Sequence, residues 1–158
     1  MREQFTIKLP GWPSALLRIC LGLLFLRAVQ GKIAAGGHWP DAMAAFLNHQ
    51  GKSMFAFYRP FIDNVVIPHK VMFANLVRIG ELGVGLALVT GTVTRLAAFF
   101  GVVMALNYMW AKGQAFWLPT NHDALFVLAL IGLALMGAGR VLGVDYFLAK
   151  KYPRFWLW

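Results

Sequence analysis

The stretch VMFANLVRIGELGVGLALVTGTVTR, residues 71–95, decides the fold. Its first part, Val71 to Thr90, is apolar and long enough to cross a bilayer, which takes about 20 mostly apolar residues as a helix. A charge near the middle of such a helix costs about 2.5–3.5 kcal/mol on insertion scales, and this stretch carries two, Arg78 and Glu81. Three residues apart, they lie about 60° apart on one helix face. The spacing predicts an ion pair turned into a helix bundle.

Outward from that pair, Gly83, Ala87 and Gly91 repeat every four residues, a small-residue pattern that lets helix backbones approach closely. Gly91 to Arg95 reads as a tight turn into a further span, about 95–112, and Asn121-His122-Asp123 opens another, about 122–139. Short connections make neighbouring helices antiparallel. Upstream, Pro13-Ser14 opens an apolar segment over about 14–33. It reads as a retained helix and not a cleaved leader, because Arg27 and Lys32 interrupt its end and no small-residue cleavage site follows. The expectation is therefore an all-α integral membrane four-helix bundle, one domain over 1–158.

Between the first and second spans, residues 34–70 form the long connection. Gly36-Gly37 breaks the first helix, Trp39-Pro40-Asp41 looks like a fresh helix start, and an aromatic-rich run follows, broken by Pro60 and Pro68. Too short and interrupted to cross, it is expected to lie at the interface as a helical cap, either holding helix ends together or gating ligand entry. After the last span, Val141 to Trp158 reads as a basic amphipathic tail anchored by Lys150, Lys151, Arg154, Trp156 and Trp158.

Composition agrees with a membrane class. Of 158 residues, 59% are hydrophobic and 13% charged, against roughly 25% charged in soluble domains. A net charge of +9 is dispersed between apolar spans and so makes no water-exposed nucleic-acid face; anionic lipid is the partner it suits. Arg2, Lys8, Arg95, Arg140, Lys150, Lys151 and Arg154 fall on one side, and Lys52, Arg59, Lys70 and Lys112 on the other, with Lys32 at a helix end there. The positive-inside rule then puts both termini in the cytoplasm and the cap outside. The expected location is the cell membrane, a prokaryotic inner membrane.

Cys20 is the single cysteine, which excludes an intramolecular disulfide, a CxxC pair and a Cys-ligated iron–sulfur centre in this chain alone. It is expected to be a small core residue. His69 and His122 stand at the outer starts of spans, no histidine lies deeper in one, and no HxxH or HxxxH spacing occurs, so neither haem nor another metal site is expected. Any redox chemistry must borrow a cofactor.

Helix rise places Glu81 near mid-membrane, with Arg78, Arg27 and Asn107 each roughly 4–5 Å toward the outer side. Lys32, Gln30 and Tyr108 lie above them toward the cap, and His122 with Asp123 enters from the fourth span. Arg18 lies about nine residues, or 900° of helix, from Arg27 and so on the opposite face, where it is expected to snorkel to the inner headgroups. Two accounts fit this constellation. One is an ion-pair network that fixes helix register; the other is a polar pocket under the cap, where cations hold an anion or a quinone carbonyl and Glu81 neutralises them or relays a proton.

Leu17-Arg18-Ile19-x-Leu21-Gly22 with Gly31-Lys32, Gly80-Glu81-x-x-x-Gly85 with Gly91-x-x-Thr94-Arg95, and Gly137-x-Gly139-Arg140-x-x-Gly143-x-Asp145 follow one another along the chain. In that order they resemble the DoxX/DoxD family over Ser14 to Asp145. The resemblance implies a four-helix membrane protein, and DoxD-type members are associated with thiosulfate:quinone oxidoreductase, in which thiosulfate is oxidised to tetrathionate and quinone is reduced. By motif position Arg18, Lys32, Glu81, Arg95, Arg140 and Asp145 match, whereas Arg27, Arg78 and Asn107 rest on spacing alone. Glu81 is thus the candidate catalytic residue, and Arg27, Arg78, Asn107, Lys32, Tyr108 and His122 are the candidate substrate- or quinone-binding residues. Arg18, Arg95, Arg140 and Asp145 are structural motif positions. The alternative is a non-catalytic accessory subunit of a larger respiratory or photosynthetic membrane complex; a small-solute carrier is disfavoured because no internal repeat or broken helix pair is present. Other membrane subunits are expected partners in either case.

Overall fold

The helix expected over 71–90 runs from Lys70 to Thr90 in the computed structural model, which describes residues 11–155 and 157. Arg2, Lys8, Trp156 and Trp158, used above for orientation and anchoring, lie outside the described residues. In chain order the helices are α1 (Trp12–Ala34), α2 (Trp39–Gln50), α3 (Arg59–Phe61), α4 (Lys70–Thr90), α5 (Thr94–Lys112), α6 (His122–Met136) and α7 (Asp145–Lys151). A π-helical turn, Ile62–Val66, continues α3, and 3-10 turns occupy Gly36–His38 and Ala138–Arg140.

Local chemistry sets most of these ends. Pro13 sits in the first turn of α1, where its missing N–H costs nothing. The Asn121 side chain accepts the Ala124 N–H at 3.1 Å and so caps α6. Gly91 closes α4 in the left-handed conformation, φ 69°, which a residue without Cβ adopts freely.

The four longer helices pack in sequence, α1 on α4, α4 on α5, α5 on α6, and α1 also touches α6. One core joins them: Leu21 and Phe25 of α1, Val84 and Leu88 of α4, Ala97 and Ala98 of α5, and Leu130 and Leu133 of α6. The expected series of Gly83, Ala87 and Gly91 does not make the helix–helix contact, although Gly91 is tightly packed against Arg18 and Gly143 in the turn after α4. Gly83 faces open space, and the contact is Gly22 against Gly85, where a Cβ on Gly22 would come 2.9 Å from the Gly85 carbonyl oxygen. Glu81 faces inward, and a residue two positions on is turned about 200° away from it, whereas residues 84, 85 and 88 return to its side.

Outside that core the helices stay apolar. Leu24, Ile79, Phe99, Leu125 and Leu135 are all exposed, as on a surface that faces lipid. Cys20 is exposed as well, not a core residue, because it sits about 200° round α1 from buried Arg18. Among the described residues two helices, Trp12–Ala34 and Lys70–Thr90, are long and apolar enough to cross a membrane; His122–Met136 is apolar but shorter, since the predicted fourth span breaks into the turn at Ala138.

The long connection folds over one end of these helices and has a core of its own. Met43 and Leu47 of α2 join Met54, Tyr58, Ile62 and Val66 against Ala74 of α4 and Ala111 of α5. Trp110 meets the rings of Phe57 and Tyr58 at 5.7 and 5.6 Å between centroids. Asp41 of α2 pairs with Lys70 at the start of α4, 2.5 Å apart, tying cap to bundle.

Candidate functional site: a buried carboxylate under the cap

Helical side chains lean toward the N-terminus of their own helix. That tilt builds the site. Lys32 stands at the C-terminal end of α1 and leans back into the bundle, Tyr108 near the end of α5 does likewise, and Glu81 of antiparallel α4 leans up toward the cap. The three meet. Lys32 Nζ lies 2.6 Å from both Glu81 oxygens, and the Tyr108 hydroxyl donates to Glu81 Oε1 at 2.8 Å. Glu81 is 1% exposed. Lys32 Nζ also sits 5.3 Å from the centroid of the Trp39 ring, a cation–π contact that holds the ammonium from above.

The expected Arg78–Glu81 pair is absent. Both side chains lean the same way along α4, so Arg78 passes Glu81 by and reaches the open end of α1. There Nη2 donates to the Lys32 carbonyl at 2.8 Å and to the Gly36 carbonyl, while Nη1 donates to Asn75 Oδ1 at 3.5 Å. It caps α1, supplying a cation where the last carbonyls lack partners.

The other predicted members are placed elsewhere. Arg27 is exposed on the outer side of α1, where it donates to Gln30 at 3.2 Å, because position 27 lies on the same outward face as Cys20. Asn107 belongs to the cap: its Oδ1 accepts from the Tyr58 hydroxyl at 2.5 Å and its Nδ2 donates to the Val103 carbonyl at 2.7 Å. His122 is exposed at the start of α6, and its neighbour Asp123 pairs with Lys112 at 2.8 Å.

Two buried N–H donors close to Lys32 have no partner, Trp39 Nε1 and Arg78 Nε. A buried donor left unpaired costs about 1–3 kcal/mol, so this corner offers hydrogen bonds to an acceptor. Trp39 was not a candidate from sequence; a tryptophan beside the proline that starts a helix was the one signal it gave.

Burial pushes the Tyr58 phenol up from its ordinary 10.0 to about 12. The unfolded chain ionises Tyr58 from pH 10 upward, so the stability that its neutral, hydrogen-bonded form contributes is whole below pH 10.0 and is lost as pH rises through about 12. Ultraviolet titration of the folded protein is expected to show a phenolate step near that value that disappears in Tyr58→Phe.

A second polar group forms at the opposite end of the bundle. Asp145, 1% exposed, accepts the Val93 and Thr94 backbone N–H groups at 2.6 and 2.9 Å, and so caps α5. Arg18 is fully buried there and does not snorkel; it is the cation that Asp145 attracts, and Nη2 donates to the Leu142 carbonyl at 3.1 Å. It fits because Gly91 and Gly143 leave room, since a Cβ on either would come 1.7 or 2.3 Å from Arg18 Nη1. Arg95 Nε donates to the Ala134 carbonyl near the end of α6 at 3.2 Å, and Arg140 is exposed.

Fold and polar groups together define an all-α membrane protein with a buried carboxylate–lysine–tyrosine set at one end and a glycine-lined arginine at the other. The family model described as TQO small subunit DoxD matches residues 13–157, and the chain belongs to the DoxD family. No solved structure matches the chain.

Proposed function

We propose that this chain is an integral membrane subunit of a quinone-linked oxidoreductase, crossing the membrane with α1, α4, α5 and α6. The observation that carries the reading is the pair of unpartnered buried donors, Trp39 Nε1 and Arg78 Nε, beside the Lys32–Glu81–Tyr108 set. A quinone carbonyl or a small sulfur oxyanion such as thiosulfate is an acceptor of the kind these donors lack. The length of α6 is compatible with crossing, for its 15 residues rise about 22 Å and the 3-10 turn after it adds about 6 Å. The cap then lies outside, and both chain ends face the cytoplasm by the positive-inside rule.

When bound, the quinone supplies a two-electron acceptor; two thiosulfates give up one electron each as the sulfur–sulfur bond of tetrathionate forms. This chain's residues hold the acceptor oxygen through Trp39 and Arg78, and keep Lys32 and Tyr108 as the nearest proton donors. Reduction of a quinone consumes two protons and tetrathionate formation releases none, so Glu81, between the two donors, would relay replacement protons from the medium. The cap excludes water through Tyr58, Asn107 and the aromatic cluster around Trp110.

A short-chain quinone analogue added to the protein in lipid nanodiscs is expected to bind. Trp39→Phe, which keeps an aromatic ring over Lys32 but removes the indole N–H together with the pyrrole part of the ring, is expected to weaken it about tenfold or more. Absence of binding, together with no thiosulfate-dependent quinone reduction in the presence of the partner subunits, overturns the reading. An accessory role without turnover is the second reading, favoured by the way Lys32 and Tyr108 already satisfy Glu81.

A further inference from the structure

Arg27 is a cation on the outward face of a helix read above as membrane-spanning. It lies seven residues before the end of α1, about 10 Å into the bilayer from that end, and its side-chain partner is the neutral Gln30. Charged groups at such depth face protein or a water-filled cavity, yet α1 offers Arg27 neither. With Gln30 it borders a concavity whose walls are Leu23, Leu26, Ile33 and Leu82. Directly above, Gly31 has no heavy atom within 4 Å of where a Cβ would stand, so a helix backbone can come close there.

We infer that this face of α1 docks a transmembrane helix of a different subunit that carries an Asp or Glu side chain opposite Arg27. Charge complementarity selects the occupant. Asp41, Asp63, Glu81 and Asp123 each hold a lysine or arginine of this chain, and Asp145 is taken by the α5 backbone. Glu3, the remaining acid, lies outside the described residues. A second copy docked on the same face would bring arginine to arginine and has none of those carboxylates to spare. A lipid phosphate sits at the interface, about 10 Å above the Arg27 backbone, and is the competing occupant that cross-linking separates from a helix. The inference rests on the proposed membrane crossing of α1 and is independent of any quinone.

Cys20 makes the test direct, because it is the chain's single cysteine and lies two turns from Arg27, on the same face. The complex is drawn from its own membrane in mild detergent, with a photo-reactive maleimide attached to Cys20. Cross-links are expected in a membrane helix of another subunit, within about two turns of an Asp or Glu. Arg27→Glu is expected to reduce retention of that subunit about thirtyfold or more, Arg27→Lys to preserve most of it, and a Lys at the partner's carboxylate to restore Arg27→Glu. Because Arg27 is exposed, both variants are expected to unfold like the wild-type subunit in isolation; if Arg27→Glu fails to insert, Arg27→Gln makes the same comparison. Full retention of the partner in Arg27→Glu or Arg27→Gln, adducts to phospholipid alone, or Cys20–Cys20 links between copies overturn the inference. Rapid labelling of Cys20 by a membrane-impermeant maleimide overturns the membrane crossing itself, and with it the inference. Loss of quinone-analogue binding changes neither readout.

Discussion

Glu81→Gln is expected to destabilise the bundle by about 3–5 kcal/mol, the usual cost of leaving one member of a buried ion pair without its partner. An amide oxygen in the place of Oε1 still accepts from Lys32 and Tyr108, but the N–H₂ in the place of Oε2 is then a donor pressed against the Lys32 ammonium. Lys32, whose side chain is 17% exposed, then keeps its charge beside Trp39 and a helix end already occupied by Arg78. Lys32→Met alone leaves the carboxylate with only the Tyr108 hydroxyl, a similar penalty. The double variant Lys32→Met/Glu81→Gln removes both charges and is expected to recover at least half of either loss, because a buried pair replaced by neutral groups is often close to neutral. Detergent unfolding titrations of the four proteins give the coupling. If the site handles an acceptor oxygen as proposed, the double variant regains stability and does not regain quinone-analogue binding. Recovery of both assigns the trio to helix register alone.

The helices were legible in residues 71–95 and in their surroundings because their signals are local. Trp39-Pro40 starts α2 and Asn121 caps α6 as those residue types do in most proteins. The identity of the ion pair was not legible, for a physical reason. Spacing along one helix and equal depth along neighbouring helices both compare Cα positions, whereas the side chains reach several ångströms along the axis in directions set by helix polarity. Lys32 and Glu81 differ in depth at the backbone and meet at their tips; Arg78 and Glu81 are neighbours at the backbone and diverge. Arg27 and Asn107 share the depth but face away, one outward and one into the cap. The small-residue pattern failed in a related way. Gly83 has the right spacing on the wrong face, and the inward turn of Glu81 was already enough to say so, while Ala87 only borders the core and Gly91 packs against the Arg18 side chain at the turn and not against a helix backbone. Arg18 misled for the opposite reason: a lone arginine in an apolar helix suggests snorkelling, and its glycine surroundings come from residues more than 70 positions away in sequence.

Those distant glycines make the inner end of the bundle the place for the other large effect. Asp145 does three things there: it accepts two N–H groups at the start of α5, it holds Val93 at φ 42°, a left-handed conformation costly for a β-branched residue, and it attracts buried Arg18. Asp145→Asn keeps the shape, loses the charge, and turns one acceptor into a donor facing a backbone N–H, so a loss of about 3–5 kcal/mol is expected in detergent unfolding. Arg18→Met removes a guanidinium whose Nε and Nη1 have no hydrogen-bond partner, and it leaves Asp145 its two N–H donors. Its cost is expected to be smaller, about 1–3 kcal/mol. In the double variant the loss should fall short of the sum, since the arginine is expensive to bury only once Asp145 has been neutralised; strict additivity would show that the two charges are not coupled. Quinone-analogue binding should be unchanged in Arg18→Met, because Arg18 and Lys32 are separated by 14 residues of α1, about 21 Å along its axis.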